Sequence, residues 1–188
     1  MTGRVPLAGR TLIVGPSGAG KTRLTARTLE RWLDRHGPEG VVVLEFGPDV
    51  ERDGEVLGGR LSRFTAVPAG AWVGTLEAHA PRSQGGDEAD AVALARDNAV
   101  RAARLIEGTP RDPRAVFVND ATIPFQHEAG EPDALLEYCG AAEAAVLNAY
   151  AGGALGTDGP VSRRESAVLE RLRAWADRTV ELSGDRTA

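Results

Sequence analysis

The residues best suited to chemistry in this 188-residue chain form the stretch GPSGAGKT. Its glycines allow backbone conformations with positive φ, so that successive amide N–H groups can point at one bound anion. Lys21 adds a positive charge for the β- and γ-phosphates of a nucleotide, and the Thr22 hydroxyl suits Mg²⁺. The spacing therefore predicts a phosphate-binding loop. Its residues are Gly15, Pro16, Ser17, Gly18, Ala19, Gly20, Lys21 and Thr22.

Lys21 is the only lysine of the chain, whose other basic residues are 21 arginines. A guanidinium is planar and forks its donors, whereas an ammonium is a compact point charge that fits a tight loop. The placement of the one lysine is therefore a second indication of the loop, separate from the motif.

The segments around the loop have the pattern that such a site needs. The apolar run 11–15 predicts a buried strand, and the apolar spacing over 21–35 predicts an amphipathic helix. HGPEG ends that helix, and VVVLEF over 41–46 predicts a second buried strand. Strand, helix and strand in this order predict parallel strands joined by a crossover helix.

The rest of the chain alternates in the same way. Region 47–85 is predicted to be irregular with one or two strands, in LSRFTAV or in AWVGTLEA. Beyond it we predict a helix over 87–107, a strand over 115–118, a helix over 131–139 and a strand over 144–150. The spacing of Ser162 and Glu165 predicts a capping box at the start of a closing helix, whose apolar stripe reaches Thr179. A short strand is predicted over 179–182. We expect one domain over 1–188, with 183–188 as a frayed tail.

On the loop motif, and more weakly on AVFVND over 115–120, the chain resembles the P-loop NTPase superfamily. That resemblance implies a three-layer α/β fold, a mostly parallel sheet flanked by helices, with Mg²⁺ and a nucleoside triphosphate at the carboxyl ends of the strands. It also implies a carboxylate for the metal after a buried strand. Two alignments are open: Asn119 fills the metal position and Asp120 the catalytic one, or Asp120 is itself the metal carboxylate. In both, Asp120 is the acidic group of the site, and the metal residues that we predict are Thr22 and Asp120.

Other polar residues near predicted strand ends are secondary candidates. Glu45 interrupts an apolar run, which favours a cleft and a catalytic role in positioning the nucleophile. The remaining candidates, for proton transfer or for stabilising phosphate charge, are Asp49, Glu77, His79, Arg82, His127, Arg163 and Arg164. For each of these a solvated surface role is the competing interpretation.

Composition excludes several classes of function. A net charge of −5 and a pI near 5.3 argue against nucleic-acid or anionic-membrane binding. One cysteine excludes an internal disulfide, and no apolar run is long enough for a membrane span or signal peptide. We therefore expect a cytoplasmic protein.

The sequence leaves several functions open. The absence of an N-K-x-D motif after the 144–150 strand favours ATP over GTP. The first hypothesis is a Mg²⁺-dependent ATP-binding enzyme that hydrolyses ATP or transfers a group from it to a small molecule, with Lys21, Asp120 and Glu45 as catalytic residues. The second is a non-catalytic nucleotide switch with a protein partner, and the third is a scaffold without ligand. The order of elements also resembles P-loop corrinoid adenosyltransferases, whose loop usually has the form G-x-G-K-G-K-T.

Overall fold

The structure, a computed structural model, describes residues 4–48, 50–52, 55–57, 59–153 and 158–184. The strands in this part of the chain are β1 (Gly9–Gly15), β2 (Val41–Glu45), β3 (Val50–Arg52), β4 (Glu55–Leu57), β5 (Trp72–Thr75), β6 (Ala115–Asn119), β7 (Ala144–Tyr150) and β8 (Arg178–Glu181). The helices are α1 (Lys21–His36), α2 (Pro81–Gln84), α3 (Glu88–Glu107), α4 (Asp133–Gly140) and α5 (Pro160–Trp175), with 3-10 turns at Leu61–Arg63 and Ile123–Phe125.

Six strands form one parallel sheet in the order β5-β2-β6-β7-β1-β8, and β3 and β4 form a separate antiparallel pair. The predicted parallel strand–helix–strand unit is confirmed, since β1 and β2 belong to the same parallel sheet and α1 connects them in the chain. The strand that carries the loop, β1, is separated from β6 by β7. All carboxyl ends of the six strands therefore meet at one edge, where the loop begins.

Successive strand residues point to opposite faces, so each strand contributes to two cores. On one face, Ile13, Val43 and Phe117 pack with residues of α1. On the other face, Val14, Leu44 and Val118 pack with residues of α3, α4 and α5. Burial on both faces explains why the strands are nearly continuous apolar runs. The predicted three-layer α/β architecture is confirmed.

The region that the sequence left ambiguous contains one strand of the main sheet. AWVGTLEA supplies β5, whereas LSRFTAV forms the 61–63 turn and no strand. Leu61 is fully buried against the α1 face, and its backbone N–H donates 2.7 Å to a side chain, Oε1 of Glu45, instead of to a neighbouring strand. This side-chain bond replaces the ladder that a strand would need.

The predicted capping box is wrong. Helix α5 begins at Pro160 after Gly159, with no side-chain cap, so Ser162 and Glu165 lie inside the helix and are buried. Proline is favoured at the first helical position because its missing N–H is not needed there. The helix ends at Trp175, and Thr179 belongs to β8, as the alternative prediction of a short strand had it.

Two predictions concern residues outside the described part of the chain: Asp49, and the end of the predicted tail, 185–188. Within the described residues, no helix has both the length and the hydropathy to cross a membrane.

Candidate functional site

The loop between β1 and α1 forms an open cradle. Gly18 and Gly20 have φ values of 75° and 87°, and a Cβ at either position would meet no atom within 4 Å. Glycine is therefore needed for conformation there and not for space. Gly20 caps α1 without any side-chain hydrogen bond, so the first N–H groups of the helix remain available to an anion.

Lys21 is a buried cation that forms no ion pair within the described part of the chain. Its side chain is 8% exposed, and its Nζ donates a 2.7 Å hydrogen bond to the carbonyl of Pro16. Among the described residues no carboxylate lies within ion-pair distance of it. Burial lowers the pKa of Lys21, and the nearby charge of Asp120 opposes this shift. Because an unpaired buried charge is strongly unfavourable, the geometry suits a bound anion that supplies the missing charge.

Thr22 contacts Asn119 across the end of the sheet. The Thr22 hydroxyl donates to Oδ1 of Asn119 at 3.2 Å. Its proton is thereby used, and the lone pairs of the oxygen stay available to a metal ion. This contact places Asn119 next to the loop hydroxyl, and both alignments of Asp120 stay open.

The neighbours of Asn119 explain why this residue is an amide. Its side chain is fully buried, and its Nδ2 donates to Oε2 of Glu45 at 3.0 Å and to the carbonyl of Gly59 at 2.9 Å. An aspartate at this position would lose both donors and would face the Glu45 carboxylate. The environment of Glu45 therefore requires asparagine at position 119, whether or not the loop binds a ligand.

Glu45 is tied into the structure by both carboxylate oxygens. It is 3% exposed, and Oε1 accepts from the Leu61 backbone while Oε2 accepts from Asn119. Burial raises its pKa to about 6, against the opposing effect of these two hydrogen bonds and of Arg60. Glu45 does not line the cavity described below. Its contacts suit a role in holding Asn119 and the 61–63 turn.

Asp120 is the carboxylate that reaches the space beside the loop. It has a φ of 56°, an unfavourable conformation for a residue other than glycine. Its backbone N–H is held at 2.9 Å by Oδ1 of Asn148. Burial raises the pKa of Asp120, Lys21 lowers it, and Glu165 raises it further. A Cβ at Gly47 would lie 2.5 Å from Oδ2 of Asp120, so residue 47 must be small for the carboxylate to fit.

Asn148 joins the loop helix to the end of β6, and sequence reasoning missed this role. Its Nδ2 donates at 3.0 Å to Oγ1 of Thr25 and at 3.0 Å to Oδ1 of Asn119. A signal was present, because three buried strands each place a polar residue after four apolar ones: VVVLE, AVFVN and AAVLN.

A cavity of about 470 Å³ opens between the loop and the ends of β6 and β7. The loop residues from Ser17 to Thr22 form one side. The lining residues outside the loop include Asp120, Thr122, Gln126, Tyr150, Arg82 and Glu165. The cavity is therefore larger than the loop cradle and is bordered by both cations and carboxylates.

Glu165 binds three other residues that line this cavity, a second role that sequence reasoning missed. It is 5% exposed and accepts from Thr122 Oγ1 at 2.8 Å and from Gln126 Nε2 at 3.0 Å. It also forms an ion pair with Arg82. In the sequence, the spacing of Glu165 from Ser162 resembles a capping box, which places a glutamate at the exposed start of a helix. This pattern is why sequence reasoning did not identify Glu165 as a buried carboxylate.

The other candidate residues do not line the cavity. Their contacts are on the surface or with backbone: Glu77 with Arg60, His79 with Asp97, His127 with the N–H of Ala129, Arg163 with the carbonyl of Asp158, and Arg164 with Glu131. Of the secondary candidates within the described residues, Arg82 alone borders the space beside the loop.

Within the described part of the chain, no three His, Cys, Asp or Glu side chains cluster as a metal centre. Mg²⁺ does not need one, because it binds through one or two protein oxygens together with phosphates and water. Thr22 and Asp120, which both border the cavity, fit that requirement.

No protein-family model matches this sequence, and a search of curated proteins finds no match. A function for this chain therefore has to be inferred from the geometry of its site.

Proposed function

We propose that this protein binds Mg²⁺ and ATP at the 15–22 loop and hydrolyses ATP or transfers its γ-phosphoryl group to a small molecule. The observation that carries the proposal is Lys21, a buried ammonium that pairs with no carboxylate among the described residues and lies at the start of α1, whose first N–H groups have no side-chain cap. A triphosphate would supply the charge that Lys21 lacks and accept hydrogen bonds from the start of α1.

Thr22 and Asp120 are the residues that would hold the metal, Thr22 through the lone pairs left free by its bond to Asn119. Mg²⁺ held by these residues would neutralise the negative charge that develops on the phosphate oxygens. Asp120 also borders the space in which a nucleophile would approach, so its carboxylate can orient water or an acceptor hydroxyl. In this proposal Glu45 acts indirectly, by fixing Asn119.

The test compares Lys21→Ala with Arg27→Ala, an exposed position on the same helix. We expect the Lys21 variant to lose at least about tenfold in affinity for Mg–ATP, which corresponds to about 1.4 kcal/mol, whereas the Arg27 variant binds like the parent. Isothermal titration calorimetry with Mg–ATP, with Mg–GTP and with ATP in EDTA gives the affinities. A Lys21 variant that binds Mg–ATP as tightly as the parent would falsify the loop assignment.

A nucleotide switch without turnover is the second candidate, because an amide replaces a carboxylate next to the loop hydroxyl. The two functions differ in the formation of ADP, which accompanies both hydrolysis and phosphoryl transfer. Nucleotide binding with no formation of ADP, with or without added acceptors, would favour the switch over the enzyme.

A further inference from the structure

Arg82 lines the same cavity as the loop residues Ser17 to Thr22. It is the second residue of α2, and its side chain is 16% exposed. The centre of its guanidinium lies 5.6 Å from the centroid of the Tyr150 ring, and Lys21 Nζ lies 5.9 Å from the same centroid. Two cations from different elements therefore border the same aromatic ring and the same cavity.

The guanidinium is paired in a way that leaves donors available. Nη1 of Arg82 bonds to Oε2 of Glu165, and no other hydrogen bond of this guanidinium is found among the described residues. An arginine carries five N–H donors in a planar fork, so most of them remain for a second anion.

Glu165 can release Arg82 without becoming an isolated charge. Thr122 and Gln126 both donate to its other oxygen, Oε1. The amide of Gln126 must present its nitrogen to the carboxylate, which fixes its orientation. These two donors stay in place if Arg82 moves, so the carboxylate keeps two of its three partners.

We propose that Arg82 is a catalytic residue that forms an ion pair with Glu165 in the nucleotide-free protein and exchanges this partner for the γ-phosphate when ATP binds. This inference rests on the function proposed above and adds one residue to it. Arg82 is the cation on the far side of the γ-phosphate from the loop, and Glu165 is a positioning residue that competes with the phosphate for it.

In the transfer step, an oxygen of water or of an acceptor hydroxyl forms a bond to the γ-phosphorus. The bond from that phosphorus to the bridging oxygen breaks, and its electron pair stays on the β-phosphate of ADP. The nucleophile loses its proton to solvent or to the transferred phosphate. Arg82 exchanges no proton, and it stabilises the negative charge on the equatorial oxygens.

Four variants test this exchange: Arg82→Ala, Glu165→Gln, the double variant, and the control Arg171→Ala, whose side chain pairs on the surface with Asp133. The measurements are the dissociation constants of Mg–ATP and Mg–ADP and the rate of ADP formation from ATP. We expect Arg82→Ala to reduce turnover at least about 100-fold. Its affinity for ADP should stay within about threefold of the parent, since the γ-phosphate is absent there.

The test is specific because two of the variants should change the preference for ATP over ADP in opposite directions. Arg82→Ala should lower the preference for ATP over ADP, whereas Glu165→Gln should raise it, because the weaker partner frees the guanidinium. In the double variant the effect of Glu165→Gln should vanish, since no guanidinium is left to free. Arg171→Ala should match the parent in every measurement.

A purely structural ion pair gives different results. Arg82→Ala and Glu165→Gln would then both weaken ATP and ADP equally, and turnover would follow the affinity, which overturns the proposal. If Glu165→Gln does not fold, Arg82→Lys decides, because a lysine keeps the charge and should restore part of the ATP preference that alanine loses. A lysine variant no better than the alanine variant overturns the exchange.

The failure of this inference can be separated from the failure of the proposed function. A parent that binds no Mg–ATP overturns both, and a parent that binds ATP without turnover overturns the catalytic role of Arg82. Loss of binding in Lys21→Ala together with unchanged turnover in Arg82→Ala leaves the loop standing and removes only Arg82.

Discussion

Asn119→Asp tests the conclusion that Glu45 requires an amide at this position. The change removes the donors to Oε2 of Glu45 and to the carbonyl of Gly59, at 3.0 and 2.9 Å. A hydrogen bond to a charged group contributes about 1.5–3 kcal/mol and a neutral one about 1 kcal/mol, so the lost bonds alone amount to about 3 kcal/mol.

The new carboxylate also faces a buried carboxylate at hydrogen-bond distance, and the pair cannot ionise fully. The folded state then holds one proton that the unfolded state has released, so its stability falls as pH rises, by about 1.4 kcal/mol per pH unit. From about 3 kcal/mol near pH 6, the loss in unfolding free energy should reach roughly 6 kcal/mol near pH 8.

Urea denaturation of parent and variant at both pH values measures these losses. The control is the exchanged pair Glu45→Gln with Asn119→Asp. The amide that this pair places at position 45 can accept from Leu61 and donate to the new carboxylate, so the steep pH dependence should disappear. If Asn119→Asp costs less than about 1 kcal/mol, or if its loss is the same at both pH values, the reasoning about Glu45 is wrong.

Two further predictions concern the same edge of the sheet. Gly47→Ala should displace the Asp120 carboxylate, because the added Cβ would lie 2.5 Å from Oδ2; we expect weaker Mg²⁺-dependent ATP binding, and unchanged titrations with Mg²⁺ would contradict the contact. The raised pKa of Glu45, about 6 against an ordinary 4.5, means that the folded protein binds this proton more tightly than the unfolded one. Stability from this group is therefore present below about pH 4.5 and is lost as pH rises through about 6, by about 2 kcal/mol in total. The difference in unfolding free energy between the parent and Glu45→Gln, measured from about pH 4 to pH 7, should change by that amount, and a flat difference would rule it out.

The fold was predictable because its signals are local. Each predicted strand of the sheet is a short apolar run in the sequence. In α1 and α3 the apolar residues recur at helical spacing, and this pattern depends only on the residues of the helix itself. The loop was predictable for the same reason, since its eight residues are consecutive. Pro160 shows the limit of this reasoning: a capping-box pattern two residues later was more conspicuous than the proline that begins the helix.

The rest of the site depends on contacts between residues far apart in the sequence. Glu165 meets Arg82 across 83 positions, and Asn119 meets Glu45 across 74. Neither pair has a periodic pattern, and each residue taken alone resembles a surface charge or a strand end. Only the order of strands in the sheet brings them together, and the sequence does not determine that order by local rules.

That order explains why the polar residues divide into two groups. Glu45 and Asn119 end the adjacent strands β2 and β6, and Asn148 lies two residues before the end of the next strand, β7. Glu45 and Asn119 are register partners, and Asn148 bonds to Asn119 from the next strand. Neighbouring strands lie about 4.8 Å apart, so side chains in one row can bond directly from strand to strand.

This row is satisfied internally. Its bonds run through Asn119 from Glu45 to Asn148 and on to Thr25 of α1. Asp120 follows the last residue of β6 and has a φ of 56°, so the strand conformation ends there. Its side chain lies outside the row and lines the cavity with Arg82 and Glu165. All four amide hydrogens of Asn119 and Asn148 are used in bonds within the protein, which suits support of the loop. In the proposed function, reaction with a phosphate then falls to residues outside the row: Lys21, Asp120 and Arg82.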